Sequence, residues 1–439
     1  MKQLFTFILI STIIFSLNAQ TFDRQKMDNL FNLIEENNKS MGSISIFQDG
    51  KEVYQKSIGF VDINNNLMSN ATTIYRIGSI SKTFTTTIIM QMVEEKKLTL
   101  ETKLSKWFKK IPNSEKISIK QLLGHRSGLF NFTNAEGYAS QTEKPKSRSE
   151  QLKTFIKNGT VFEPGEKAEY SNTNFVLLSF IIEEVENKPF SEVLDERIVE
   201  RIGLKNTSYG GKINTANNEA LSYRKENNWV LNTETDMSIP MGAGAIVSTP
   251  TDLNIFFNKL FAGELISVES LNKMKNIVDG YGLGLFTYPF SEKQSFGHTG
   301  GIDGFRAIAS IFPDENVAIS FCRNGENMSG NDILIGALSI YFVHDYELPE
   351  FAPAIVLNIE VLEQYSGTYS SPTAPLKLKI FIDGDVLKAQ GEGQPSFPLE
   401  AFDENKFKFE QAGVQIEFIP SESKLILKQG GGTFEMAKE

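Results

Sequence analysis

The chain has 439 residues, more than one hydrophobic core usually organises, so a large unit with a smaller companion is expected. Hydrophobic residues make up 40% and charged residues 22%, with 34 Phe, which is ordinary for a globular protein, so disorder is not the default. Acidic residues outnumber basic ones, 54 to 44, and a net charge of −10 with no basic patch disfavours nucleic acid as a partner.

Met1-Lys2-Gln3 precedes a largely apolar run from Leu4 to Leu17, followed by Asn18, Ala19 and polar sequence. A positive start, a run too short to span a bilayer comfortably and a small residue before the polar stretch read as a signal peptide over residues 1–19. The expectation is therefore an exported protein, periplasmic or secreted, with no membrane anchor once the segment is cleaved. Leu17 is large for its place before the cut, which leaves the cleavage site open. No cysteine stands near this segment, and the single Cys322 cannot form an intrachain disulfide, so the fold must rest on core packing.

From Phe22 to Asn38 the apolar residues Met27, Leu30, Phe31 and Ile34 fall at helical spacing. Gly42–Phe47 and Glu52–Gly59 alternate apolar and polar residues around Asp49-Gly50, which predicts a tight hairpin. A helix is predicted from Ser79 through Phe84, Ile88 and Met92 toward Lys97, and another over Phe175–Glu186, with long polar loops between. Gln294–His298, Ala307–Phe312 and Val317–Cys322 read as adjacent strands. Strands at both ends with helices between imply one antiparallel sheet, an α+β arrangement, over residues 23–345.

Residues 346–360, with two prolines and two glutamates near their start, read as a linker. Beyond them Leu376, Leu378, Ile380 and Ile382, then Phe407 and Phe409, then Val414, Ile416 and Phe418, then Leu425 and Leu427 alternate with polar residues. Residues 361–439 are thus expected to form a small all-β, barrel-like unit without catalytic residues, a lid or docking surface for the larger one.

A serine hydroxyl is a weak nucleophile at neutral pH and needs a neighbouring base and donors for the oxyanion. Ser79-Ile80-Ser81-Lys82 supplies serine and amine three residues apart on one helix face. The same pattern recurs at Ser222–Lys225, Ser270–Lys273 and Ser421–Lys424, so alone it fits a capping serine and a surface lysine just as well. Ser79 differs in standing behind Arg76-Ile77-Gly78 and ahead of an apolar helix. Tyr170-Ser171-Asn172 and His298-Thr299-Gly300 are the only triplets of their kinds in the chain. The bland readings of Tyr170 and Asn172 are a packed aromatic with a satisfied hydroxyl and a turn residue.

With these three motifs, in this order, the sequence resembles the serine β-lactamase and penicillin-binding-protein superfamily, in its class C, esterase and D-amino-peptide hydrolase branch. The resemblance extends through Gln121–Leu129, Phe162–Gly165, Gly242–Gly244, Ser248–Leu253 and Gly300–Phe305. It implies a β-lactamase/transpeptidase-like fold in which Ser79 forms an acyl-enzyme, Lys82 favours its deprotonation and Tyr170 shuttles the proton. Tyr170 would then need adjacent cations, Lys82 and His298, to lower its pKa. Asn172 would bond the substrate amide or Lys82, and the backbone NH groups of Ser79 and Gly301 would bind the oxyanion. His298, Thr299 and Gly300 would line the substrate side, His298 as a partly charged group meeting a substrate carboxylate.

His125 reads as a structural core residue and His344 has no evident partner. No His, Cys and carboxylate cluster has metal-ligand spacing and no phosphate-binding glycine loop is present, so neither a metal nor another cofactor is expected. The expected partner is a small-molecule or peptide substrate, among them cell-wall peptides: D-amino peptides or esters first, with a β-lactam as the alternative. A protein that keeps the fold only to bind peptidoglycan or a partner is the rival outside enzymes. Oligomeric state is not encoded in any motif here.

Overall fold

The computed structural model describes residues 22–226, 228–351, 353–374, 376–429 and 432–439. The expected signal peptide, residues 1–19, lies outside the described residues.

Six strands run antiparallel in the order Phe286–Phe290, Lys293–Ile302, Phe305–Phe312, Val317–Glu326, Ser40–Gln48 and Lys51–Ile58. Both ends of the larger unit thus meet in one sheet, as expected. The hairpin between the last two turns on Asp49 and Gly50, both at positive φ (52° and 74°), the backbone a two-residue turn matched to strand twist requires. Tyr223–Lys225 extends the sheet, parallel to the end of Val317–Glu326.

Period-two alternation gives this sheet two apolar faces. Ile44, Ile46, Ile319 and Phe321 point to one face, which is covered by the helices Arg24–Glu36 and Gly330–Tyr341. The first helix buries Met27, Leu30, Phe31 and Ile34, the four residues its spacing singled out, and Asp23 caps it by accepting from the Lys26 NH. Phe47, Ala307, Ala309, Ala318 and Cys322 point to the other face, toward the main helical core. There Asn254 of the helix Pro250–Phe261 donates to the Ser45 carbonyl (2.9 Å) and accepts from the Ser320 hydroxyl (2.7 Å). Cys322 is fully buried in its strand.

Between Val343 and Asn358 the described residues form neither helix nor strand. Among the described residues nine further strands follow, from Gly367 to Lys438, and pair only with one another. The two ends of this sheet, Phe397–Pro398 and Glu400–Asp403, are separated by Leu399 alone, so the sheet curls into a nearly closed barrel. Tyr369, Ile380, Leu387, Phe407, Ile416 and Leu425 fill its interior. Leu376 stands outside the strand it was expected to begin, which starts at Leu378. The barrel meets the larger unit where Glu410 pairs with Lys39 and its carbonyl accepts from the Ser329 NH (2.8 Å).

The fold is α+β, with an all-β barrel-like C-terminal unit.

Candidate active site

A small sheet that the sequence did not announce delivers Ser79. Tyr75–Arg76 pairs with Ile246–Ser248, which also pairs with Ser208–Tyr209. The chain leaves this sheet through Gly78, at φ +51°, makes one turn of tight helix over Gly78–Ile80, and continues as the helix Ser81–Glu94. Ser79 therefore sits at a helix start, partly exposed, with its neighbours Gly78 and Ile80 buried.

Close backbone approach explains the glycines. A Cβ on Gly78 would lie 2.7 Å from the Gly301 nitrogen, and one on Gly300 would lie 1.9 Å from the Ile77 carbonyl oxygen and 3.0 Å from the Ser79 nitrogen. Only bare backbone lets the strand Lys293–Ile302 lie this near the serine turn. Asp303 and Gly304, at φ +50° and +87°, form the two-residue turn that closes Ile302 onto Phe305. The next pair, Gly301 with Arg306, is then the wide, unbonded kind, which turns the Gly301 NH away from its partner strand and toward Ser79.

Lys82 is fully buried. Its Nζ lies 2.9 Å from Ser79 Oγ, 2.8 Å from Asn172 Oδ1 and 2.7 Å from the Ala243 carbonyl, and it faces the rings of Tyr170 and Phe175. No carboxylate is among these neighbours, and burial pushes its pKa well below the usual lysine value. The Tyr170 hydroxyl donates to Ser79 Oγ at 2.7 Å. Its ring stacks on His125, 4.5 Å between centroids.

Asn172 opens the helix Asn172–Glu186, and its Nδ2 donates to Asn131 Oδ1 (3.3 Å) and Thr133 Oγ1 (3.2 Å). Those two acceptors orient the amide so that its oxygen faces Lys82. Asn131, Thr133 and the Ala243 carbonyl were not anticipated: Asn131 and Thr133 carry no recognisable spacing, and a carbonyl carries no side-chain signature.

Two expectations are corrected. Burial pushes the Tyr170 phenol up instead of neighbouring cations drawing it down, the bond to Ser79 offsetting only part of this. His298 is not a charged group facing solvent. It is 2% exposed, its Nδ1–H donates to the Thr299 carbonyl, its ring packs edge-on to Phe286, and burial and then the nearby Lys82 lower its pKa to about 3. A histidine so enclosed is neutral at physiological pH and has no charge to offer a carboxylate. Thr299 is exposed and Gly300 half-buried on the same strand. His125 is buried and accepts from the Ser171 NH through Nδ1 (3.1 Å), in keeping with a structural part.

Ser79, Asn172 and Gly301 open on a cleft of about 360 Å³, walled also by Phe132, Thr133, Tyr138, Thr235, Pro240, Ala243 and Asp303. None of the described residues of the barrel contributes to it.

Among known proteins, the family model described as Beta-lactamase matches residues 30–336. The teichoic acid D-alanine hydrolase of Staphylococcus aureus (strain MRSA252) is 25% identical over 295 residues, 64% of this chain and 68% of that protein. The structure of the D-amino acid amidase from Ochrobactrum anthropi SV3 with L-phenylalanine superposes with a TM-score of 0.63 at 25% identity, over 72% of this chain and 97% of that one. An octameric penicillin-binding protein homologue from Pyrococcus abyssi matches with a TM-score of 0.66 at 25% identity, over 94% of this chain and 99% of that one. With the family model covering well over half its length, the chain belongs to the beta-lactamase family and is a serine hydrolase.

Proposed function

We propose that the protein hydrolyses esters or amides of D-amino acids through an acyl-enzyme on Ser79. The observation that carries the chemistry is the placement of Ser79 Oγ between Lys82 Nζ and the Tyr170 hydroxyl, at 2.9 and 2.7 Å. The D-alanine hydrolase from S. aureus and the D-amino acid amidase from O. anthropi support the substrate class.

A neutral amine has two N–H donors and one lone pair. The Asn172 and Ala243 oxygens can only accept, so they take the two donors, and the Lys82 lone pair is left facing the Ser79 hydroxyl. Lys82 accepts the Ser79 proton as Oγ attacks the substrate carbonyl. The Ser79 and Gly301 NH groups receive the charge developing on the carbonyl oxygen. The resulting Lys82 ammonium has three donors for three acceptors. Its proton then reaches the leaving group through the Tyr170 hydroxyl, which gives one proton and regains one. Water repeats the sequence in reverse to release the acid. The high proton affinity of the buried phenol suits this relay, since Tyr170 never needs to exist as a free phenolate. The charged and then apolar start of the chain supports action outside the cytoplasm.

Mature protein incubated with a D-alanyl ester and with a fluorophosphonate should release D-alanine and gain one adduct on Ser79 by peptide mass spectrometry. Ser79→Ala should lose both. An adduct that persists in the variant overturns the nucleophile, and an intact D-alanyl ester overturns the substrate class.

A further inference from the structure

Among the described residues, Asp303 is the only charged one that walls the cleft beside Ser79. Its carboxylate is not simply neutralised. Oδ2 accepts from Arg76 Nη1 (2.6 Å) and the Thr235 NH (3.0 Å), and Oδ1 accepts from the Thr235 hydroxyl (2.6 Å). The same guanidinium also pairs with Glu234 at 3.1 Å. One buried cation is shared by two carboxylates, Asp303 on the cleft and Glu234 on the neighbouring cavity, so Arg76 does not compensate Asp303 alone. Arg76 is 2% and Asp303 8% exposed at the side chain, so water screens little of the Asp303 charge.

Among the described residues, no cation lines the cleft to oppose it. Lys82 is held toward its neutral form, and Arg306 lies beside Gly301 on the strand face opposite to the one Gly300 presses on the serine turn. A substrate carboxylate entering here would meet a negative charge only partly compensated, whereas a substrate ammonium would complete the ion balance. Oδ1 of Asp303 retains a lone-pair direction for it, beyond its one hydroxyl donor.

We propose that Asp303 is a specificity-determining residue that binds the free α-ammonium of the substrate's acyl group, so that the enzyme selects unblocked aminoacyl esters and amides over acyl groups without the amine. The inference rests on the acyl-serine reading above and names the recognition element of its substrate.

The test compares D-alanine p-nitroanilide with propionic acid p-nitroanilide, which differ only in the ammonium. The wild type should favour the first by at least about tenfold in kcat/KM. Asparagine accepts positive φ and can keep the Thr235 bond, so Asp303→Asn should fold; it should cut that ratio by about tenfold, whatever the absolute rates. Glu234→Gln, which matches Asp303 one to one with Arg76, should lower the ratio by a smaller factor. Should Asp303→Asn not fold, competitive inhibition of the wild type makes the same comparison: D-alaninol should bind at least tenfold more tightly than 1-propanol. Equal turnover of both anilides, or a ratio unchanged in Asp303→Asn, overturns the inference and leaves the hydrolase reading standing. Turnover of neither these anilides nor the D-alanyl ester by a protein still labelled at Ser79 removes the substrate class, and the inference with it.

Discussion

Lys82 is an amine enclosed by protein with no carboxylate beside it, and its chemistry follows from that enclosure. Desolvation disfavours the ammonium, so a fraction of neutral amine is available far below the pH at which an exposed lysine would supply it. The kcat/KM of the enzyme should rise with pH through this lowered pKa. Lys82→Arg keeps a cation that cannot deprotonate, and should cost about 10³-fold in kcat/KM while the protein still folds, read by circular dichroism beside the kinetics. His298 supplies the complementary prediction. With a folded pKa of about 3 against about 6.5 unfolded, the unfolded chain binds a proton that the native one does not, so stability is lost as pH falls from about 6.5 toward 3. The imidazole resonances of His298 should not titrate between pH 5 and 8. Replacing it with glutamine should reduce the slope of stability against pH in that acid window by up to about one proton. The three motifs were legible in the sequence because catalytic residue types recur at fixed short spacings. Their protonation states were not, because burial is set by residues as distant as Ala243 and Phe286, and nothing near His298 in sequence says that its ring will be sealed in.

Among the elements, the contact between the strand Lys293–Ile302 and the serine turn has the least tolerance. A methyl group on Gly300 cannot fit 1.9 Å from the Ile77 oxygen, so Gly300→Ala must push the strand from Ser79 and displace the Gly301 NH. Loss of one oxyanion donor costs about 10²- to 10³-fold in rate, so kcat/KM should fall at least that far, with fluorophosphonate labelling of Ser79 slowed in parallel. Gly50→Ala, in the hairpin turn with open space around it, carries only the backbone cost of positive φ, and should lower the melting temperature slightly with kinetics unchanged. Long alternating or helical runs, such as Ser40–Gln48 and Arg24–Glu36, announced themselves because one buried face imposes a period. The sheet formed by Tyr75–Arg76, Ile246–Ser248 and Ser208–Tyr209 did not, since strands of two or three residues contain no period to read.

For the molecule as a whole, the polar contacts that Glu410 of the barrel makes with the larger unit lie away from the cleft. Glu410 reaches Lys39 and the Ser329 NH, at the start of the helix Gly330–Tyr341 on the sheet face opposite the main helical core. A chain ending near Leu348 should therefore stay soluble and keep Ser79 labelling within about twofold of the full protein, measured with a small fluorophosphonate. An insoluble or unreactive product would show that the two units depend on each other for folding. A lid was one expectation for this region, yet none of its described residues lines the cleft. That part of the reading was beyond the sequence, because alternating strands reveal which side chains face inward but not which surface of a neighbour they rest on.

The buried thiol has a practical consequence. Cys322 lies in the central strand Val317–Glu326, fully enclosed, and burial raises its pKa so that almost no thiolate exists near neutral pH. Maleimides and disulfide reagents should pass the native protein by and modify it once the sheet opens, which makes the wild-type chain its own reporter of global unfolding. A single cysteine introduced on the exposed barrel surface could carry a fluorophore or spin label selectively, without first removing the native thiol.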